Sequence, residues 1–156
     1  MREILFRGKR IDNEEWIEGS LILTNVVQTK PYIVDSCWCP YKKVNDKGYA
    51  DFDWIDAYEV DPKTIGQFTG LTDKNGKQIF EGDIVKTHYA NANNAEFIER
   101  VVFHNGRFCS LHQKGAMKMW ANLPDCVPHL PQDKSVYMEW CEYIGNIHDN
   151  PELLED

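Results

Sequence analysis

No long stretch of this chain sustains a 3.6-residue apolar period. Short runs rich in Val, Ile and aromatic residues recur instead, punctuated by Gly or Asn-Gly, and this pattern predicts strands. Ile4 to Arg7 reads as a first strand, Trp16 to Thr24 as a second broken at Gly19, and Pro31 to Val34 as a third. Tyr58 to Phe68 is a further run, interrupted at Asp61-Pro62. Proline has no N–H for a central ladder, so that dipeptide marks a bend, bulge or edge. Ile84 to Tyr89, Phe97 to Phe103 and Tyr137 to Ile147 complete the set, with Gly145 as a bulge. Residues 113–134 read ambiguously: Ala116 to Leu123 admits a helical turn or two, and Pro124, Pro128 and Pro131 turn the following stretch into a loop. Asn150-Pro151 predicts a short terminal helix, Asn as cap and Pro as first residue.

Two Asn-Gly dipeptides sit between apolar runs, Asn75-Gly76 and Asn105-Gly106. A two-residue type I′ loop needs positive φ at both central residues, which Asn-Gly accepts at least cost. Counting outward from such a loop sets Thr72 against Ile79 and Leu71 against Phe80 in the first hairpin. In the second it sets His104 against Arg107 and Phe103 against Phe108. The whole reads as one mainly β domain, an open barrel or a sandwich, with additional strands, short helical turns and a short C-terminal helix.

Composition adds limits. Lys plus Arg number 17 and Asp plus Glu 25, a net charge of −8, and no Lys/Arg run exceeds two. Such a field opposes general association with polyphosphates, although a local basic patch could still act. No run of ~20 apolar residues predicts a membrane span. The five cysteines are odd in number, and Met1 to Arg7 lacks the ~7–15-residue apolar stretch of a secretory signal. The expectation is a reducing cytoplasm.

Candidate chemistry is sparse. Cys37-Trp38-Cys39 is spaced too tightly for a zinc knuckle and has no second ligand pair at finger distance. His104, Cys109 and His112 would need another ligand, such as His88 or His129, to hold a metal. No metal, cofactor or catalytic residue is expected. Asp51, Asp53, Asp56, Glu59 and Asp61 interleave with Phe52, Trp54 and Tyr58. This stretch reads as a solvated edge strand whose charges discourage pairing. It also reads as a surface whose aromatics anchor a basic partner that the acids select. In Glu81-Gly82-Asp83-Ile84-Val85, Gly permits a sharp turn, Asp bonds turn amides, and Ile-Val starts a strand.

Residues 60–85 also carry a longer pattern. Val60-Asp61-Pro62-Lys63-Thr64-Ile65-Gly66-Gln67-Phe68-Thr69-Gly70-Leu71, then Asp73-Lys74-Asn75-Gly76-Lys77, then Ile79-Phe80-Glu81-Gly82-Asp83-Ile84-Val85, closely resembles the YopX family of phage and prophage proteins. The opening Arg2-Glu3-Ile4 with Phe6-Arg7, Trp16 with Gly19-Ser20-Leu21, and Ile144-Gly145-Asn146-Ile147 with Asn150-Pro151-Glu152-Leu153-Leu154 agree with it. Residues 35–57, 87–99 and 111–140 match no family pattern.

The resemblance implies an SH3-like barrel, a single domain over 1–156 with its core at about 60–148 and strands 4–34 packed on it, and a place in the cytoplasm of a bacterial host. It implies no activity and transfers no catalytic residue. The matching positions Gly70, Asn75, Gly76, Gly82, Gly145 and Pro151 read as turn and core residues, as do Asp83, Asn105 and Gly106. The functional expectation is a non-enzymatic accessory protein that binds a host or phage protein through Asp51, Phe52, Asp53, Trp54, Asp56, Tyr58 and Glu59. A nucleic-acid-binding barrel is the alternative and an enzyme the third reading. Five Trp leave room for an aromatic interface between copies.

Overall fold

The computed structural model describes residues 4–24, 29–35, 43–44, 50–51, 57–89, 94–114, 117–122 and 140–155. Its strands are β1 (Phe6–Lys9), β2 (Trp16–Thr24), β3 (Lys30–Asp35), β4 (Lys43–Val44), β5 (Ala50–Asp51), β6 (Ala57–Glu59), β7 (Gly66–Thr72), β8 (Gln78–Phe80), β9 (Asp83–Tyr89), β10 (Ala95–His104), β11 (Arg107–Lys114), β12 (Met117–Asn122) and β13 (Trp140–Asn146). All pairings are antiparallel. The chain divides into two compact units at Gln67 and Phe68, within β7.

In the first unit the strands pair in the order β6-β3-β2-β1, and Gly66 and Gln67 of β7 pair with β1. Gly19 does not break β2. It pairs with Phe6 on one side and Asp35 on the other, so the ladder runs through it. Leu5, Ile33, Val34 and Val60 are buried. A Cβ at Gly8 would lie 3.1 Å from the Val60 side chain, so a glycine there lets two backbones approach. Asp61-Pro62 makes a 3-10 turn, Pro62–Thr64, rather than a simple bend. The Asp61 carboxylate accepts from the Lys63 N–H at 2.9 Å, and Thr64 Oγ1 accepts from the Lys9 N–H at 2.8 Å.

In the second unit β12-β11-β10-β9-β13 form an open sheet, so among the described residues the expected SH3-like barrel over 60–148 is not closed. Val85, Tyr89, Val101, Cys141 and Ile79 form its core, with Leu71, Phe97 and Phe108 packed against them. Residues 117–122, whose sequence admits a helical turn or two, are strand β12, paired with β11 from Cys109↔Asn122 to Lys114↔Met117. A neighbouring ladder outweighs a weak local preference for helix. The C-terminal segment Pro151–Leu154 is a 3-10 turn and not an α-helix, and the Asn150 side chain makes no capping bond. The β13 register shifts between Tyr143 and Gly145. A Cβ at Gly145 would lie 2.6 Å from Asn150 Oδ1, which explains the glycine at this bulge.

The two Asn-Gly corners differ. Asn105 (φ 49) and Gly106 (φ 80) are both left-handed, and the register is His104↔Arg107 and Phe103↔Phe108, as counted from a type I′ loop. At the other corner only Gly76 (φ 85) is left-handed. The Gly76 N–H donates to the Asp73 carbonyl at 3.0 Å and the Asp73 N–H to the Lys77 carbonyl at 2.8 Å. That is a three-residue loop, a type I turn closed by a glycine bulge. The expected pairs Thr72–Ile79 and Leu71–Phe80 are therefore corrected to Thr72↔Gln78 and Phe68↔Phe80, with an irregularity between them at which Gly70 takes φ 87.

The physical reason is Asp73. Its carboxylate accepts from the backbone N–H groups of Asn75 (2.8 Å), Lys77 (2.9 Å) and Tyr143 (3.1 Å), bonds that a two-residue loop would not offer. No helix among the described residues is long and apolar enough to cross a membrane.

Candidate functional site

Tyr58 and Glu59, the described part of the acidic-aromatic surface, lie in β6 of the first unit. They line a groove of about 340 Å³ with Ile11, Asp12, Tyr32 and Ala57. β3 supplies Tyr32, β6 supplies the pair above, and the turn after β1 supplies Ile11 and Asp12. The bridge Arg10↔Val60 and the bond from the Ile11 N–H to the Glu59 carbonyl (3.0 Å) fix that turn beside β6.

Each acid of the groove has a cation. Arg10 clamps Asp12 through Nε–Oδ1 (2.9 Å) and Nη2–Oδ2 (2.5 Å). That hydrogen bond holds the Asp12 carboxyl below its ordinary range and raises the Arg10 guanidinium. The same guanidinium lies 4.0 Å from the centre of the Tyr58 ring. Lys30 Nζ reaches Glu59 Oε1 at 2.8 Å, which raises the lysine, and the Tyr32 hydroxyl donates to Glu59 Oε2 at 3.3 Å. The groove is thus lined by two tyrosines from adjacent strands and flanked by charge pairs, with Ile11 57% exposed at its rim. Such a surface can seat an apolar or aromatic side chain among hydrogen-bonding groups, and rim charges of this kind steer and select more than they bind.

Of the other surface residues, Asp51 lies in β5, described only as backbone, while Phe52, Asp53, Trp54 and Asp56 lie outside the described residues. Asp61 caps the 3-10 turn and has a structural task. Cys37, Cys39 and His129 also lie outside the described residues. His104 pairs with Arg107 at the hairpin tip, Cys109 is buried, and His112 Nδ1 lies 3.2 Å from the Ile98 carbonyl. They do not converge, and no group of three metal-ligating side chains forms among the described residues. Gly82 (φ 84) donates to the Val101 carbonyl, and the buried Asp83 carboxylate accepts from the Phe80 N–H at 2.7 Å. Both hold the turn into β9.

One polar group was missed in the sequence. Glu99 is 3% exposed, and its Oε2 accepts from Thr87 Oγ1 (2.8 Å) and the Tyr89 hydroxyl (3.1 Å). Burial above all, then the Glu99 charge, pushes the Tyr89 phenol up to about 12. The signal was present: Glu99 alternates with Phe97 and Val101, so it occupies an inward position of β10. The cluster joins β9 to β10 and opens onto no described pocket, so it ties the sheet together.

The family model described as YopX protein matches residues 5–155, which takes in the groove residues as well as both Asn-Gly corners. The chain belongs to the YopX family. No curated protein matches it significantly. Among solved structures, the crystal structure of protein EF1440 from Enterococcus faecalis is similar over 99% of this chain and 100% of that one, at 25% identity and a TM-score of 0.53. The likeness covers both units.

Proposed function

We propose that this YopX-family chain is a non-enzymatic accessory protein of a phage or prophage, acting in the bacterial cytoplasm by binding a host or phage protein. The observation that carries the reading is the groove of Tyr32, Tyr58, Ile11 and Ala57 framed by Asp12 and Glu59. Aromatic side chains beside hydrogen-bonding rims are the usual anchors of protein interfaces. The acids of 51–56 extend this surface in sequence and favour a partner segment carrying Lys or Arg next to an apolar side chain.

A protein is favoured over nucleic acid because the net charge is −8 and four of the described cations are already committed to carboxylates. Arg10 serves Asp12, Lys30 serves Glu59, Lys74 serves Glu142 (2.7 Å) and Lys86 serves Glu96 (2.6 Å). Phosphate binding draws its free energy from cations that displace counterions, and paired cations supply less of it.

Affinity capture from host lysate tests the reading, using wild type, Tyr58→Ala and Tyr32→Ala/Tyr58→Ala, each checked for wild-type circular dichroism. Loss of one protein partner in the variants is expected. An unchanged partner set, or salt-sensitive capture of nucleic acid alone, contradicts it.

A further inference from the structure

Two chemically identical dipeptides, Asn75-Gly76 and Asn105-Gly106, are both exposed, yet their backbones differ in the one bond that matters for Asn chemistry. An asparagine amide is lost when the N–H of the next residue gives its proton to hydroxide and the nitrogen attacks Cγ. The new N–Cγ bond forms, the Cγ–Nδ2 bond breaks, and ammonia leaves. Water then opens the cyclic imide at one of its two carbonyls, giving aspartate or isoaspartate. No electrons are transferred, and the net change is water in and ammonia out. Glycine on the C-terminal side speeds the attack because nothing shields its nitrogen.

From this we infer that Asn105 is a site of spontaneous deamidation in the folded protein and that Asn75 is protected. The nucleophile at the first corner is occupied, since the Gly76 N–H donates to the Asp73 carbonyl at 3.0 Å. The electrophile is held too. Asn75 Nδ2 lies 3.5 Å from Asp73 Oδ2, and the Asn75 N–H donates to Asp73 Oδ1 at 2.8 Å. The Asp73 carboxylate, held below the ordinary range, also opposes formation of a negative nitrogen next to it.

At the second corner the Gly106 N–H and the Asn105 side chain make no hydrogen bond among the described residues, and the space around Gly106 is open. An isoaspartate there inserts a methylene into a two-residue loop. It also adds a carboxylate to a tip whose Phe103 N–H is held by Glu81 Oε1 at 3.3 Å. The register His104↔Arg107 and the Phe103–Phe108 contact, with centroids 5.1 Å apart, depend on that loop length.

The test is incubation of the full chain in mildly alkaline buffer, followed by peptide mapping with mass spectrometry to time deamidation at each site. A parallel sample in guanidinium chloride removes the structure. Folded protein is expected to lose Asn105 roughly tenfold or more faster than Asn75, about the ratio one hydrogen bond carries. In denaturant the two rates should converge. Asp73→Asn removes the carboxylate's charge but keeps the backbone carbonyl bonded to the Gly76 N–H, so it should raise the Asn75 rate only part of the way toward that of Asn105. Should Asp73→Asn fail to fold, the folded-to-unfolded rate ratio at each site in wild type decides alone. Equal rates in the folded state, or faster loss at Asn75, overturn the proposal.

Discussion

The corners at Asn75-Gly76 and Asn105-Gly106 share a dipeptide and a sheet setting but not a turn. At the second, the local preference of Asn-Gly for left-handed backbone decides, and the register follows by counting. At the first, a carboxylate two residues upstream decides. Asp73 gathers the N–H groups of Asn75, Lys77 and Tyr143, and the extra loop residue this demands moves every pair in the hairpin. The same turn then lies along β13. The Lys74 N–H donates to the Cys141 carbonyl at 2.9 Å, Lys74 Nζ lies 4.3 Å from the Trp140 ring centre, and Lys77 Nζ lies 3.2 Å from that of Tyr143. A dipeptide preference is worth about 1 kcal/mol, whereas three charge-assisted bonds to one buried group are worth more. The carboxylate therefore sets the turn.

The greatest effect is expected at the carboxylate. Asp73→Ala removes the acceptor of three backbone donors and should cost about 3 kcal/mol, read as a lower urea midpoint. A loss below about 1 kcal/mol would mean that the turn holds itself.

Acid should act through the same group. Burial alone pushes the Asp73 carboxyl up, but the N–H groups of Lys77, Tyr143 and Asn75 more than reverse this and hold it below its ordinary range. Its folded pKa is thus depressed relative to the unfolded chain. The stabilisation is fully present above the unfolded carboxylate range and is lost as pH falls through the folded pKa. The stability gap between wild type and Asp73→Asn should be constant near neutrality and shrink in the acid range, below about pH 4. A gap that widens on acidification would reverse the sign and refute the assignment.

The asparagines separate the corners further. Asn105→Ala places an alanine in left-handed backbone and should cost about 1 kcal/mol. Asn75→Ala keeps an ordinary backbone, loses only a 3.5 Å contact, and should stay within about 0.5 kcal/mol of wild type. Phe103→Ala is of similarly small size. That ring is 52% exposed, and its cross-strand contact with Phe108 is worth roughly 0.2–1 kcal/mol in the same denaturation assay.

Much of the β architecture was legible because alternation reports faces directly. The runs at 16–24, 31–34, 84–89 and 97–103 all lie in strands, and the bulge at Gly145 and the turn at 105–106 lie where local backbone chemistry puts them. What escaped was non-local. Nothing local marked Asp73 as the organiser of its turn, because its third partner, Tyr143, lies 70 positions away. Residues 117–122 read ambiguously because their partner strand β11 is not visible in their own pattern.

The groove was half legible. Tyr58 and Glu59 stood out in a cluster of acids and aromatics, but Ile11, Asp12 and Tyr32 join them only through the pairing of β3 with β6 and the bridge at Arg10. The neutralising cations Arg10 and Lys30 were equally hidden, being far from residues 51–61 in sequence.

Amide hydrogen exchange at two glycines tests the account most directly, because the division between the corners rests on which nitrogen is bonded. Gly76, donating to the Asp73 carbonyl, should exchange markedly more slowly than its unstructured rate, and Gly106 should exchange close to its own. Equal protection at the two sites, or protection at Gly106 alone, would contradict it.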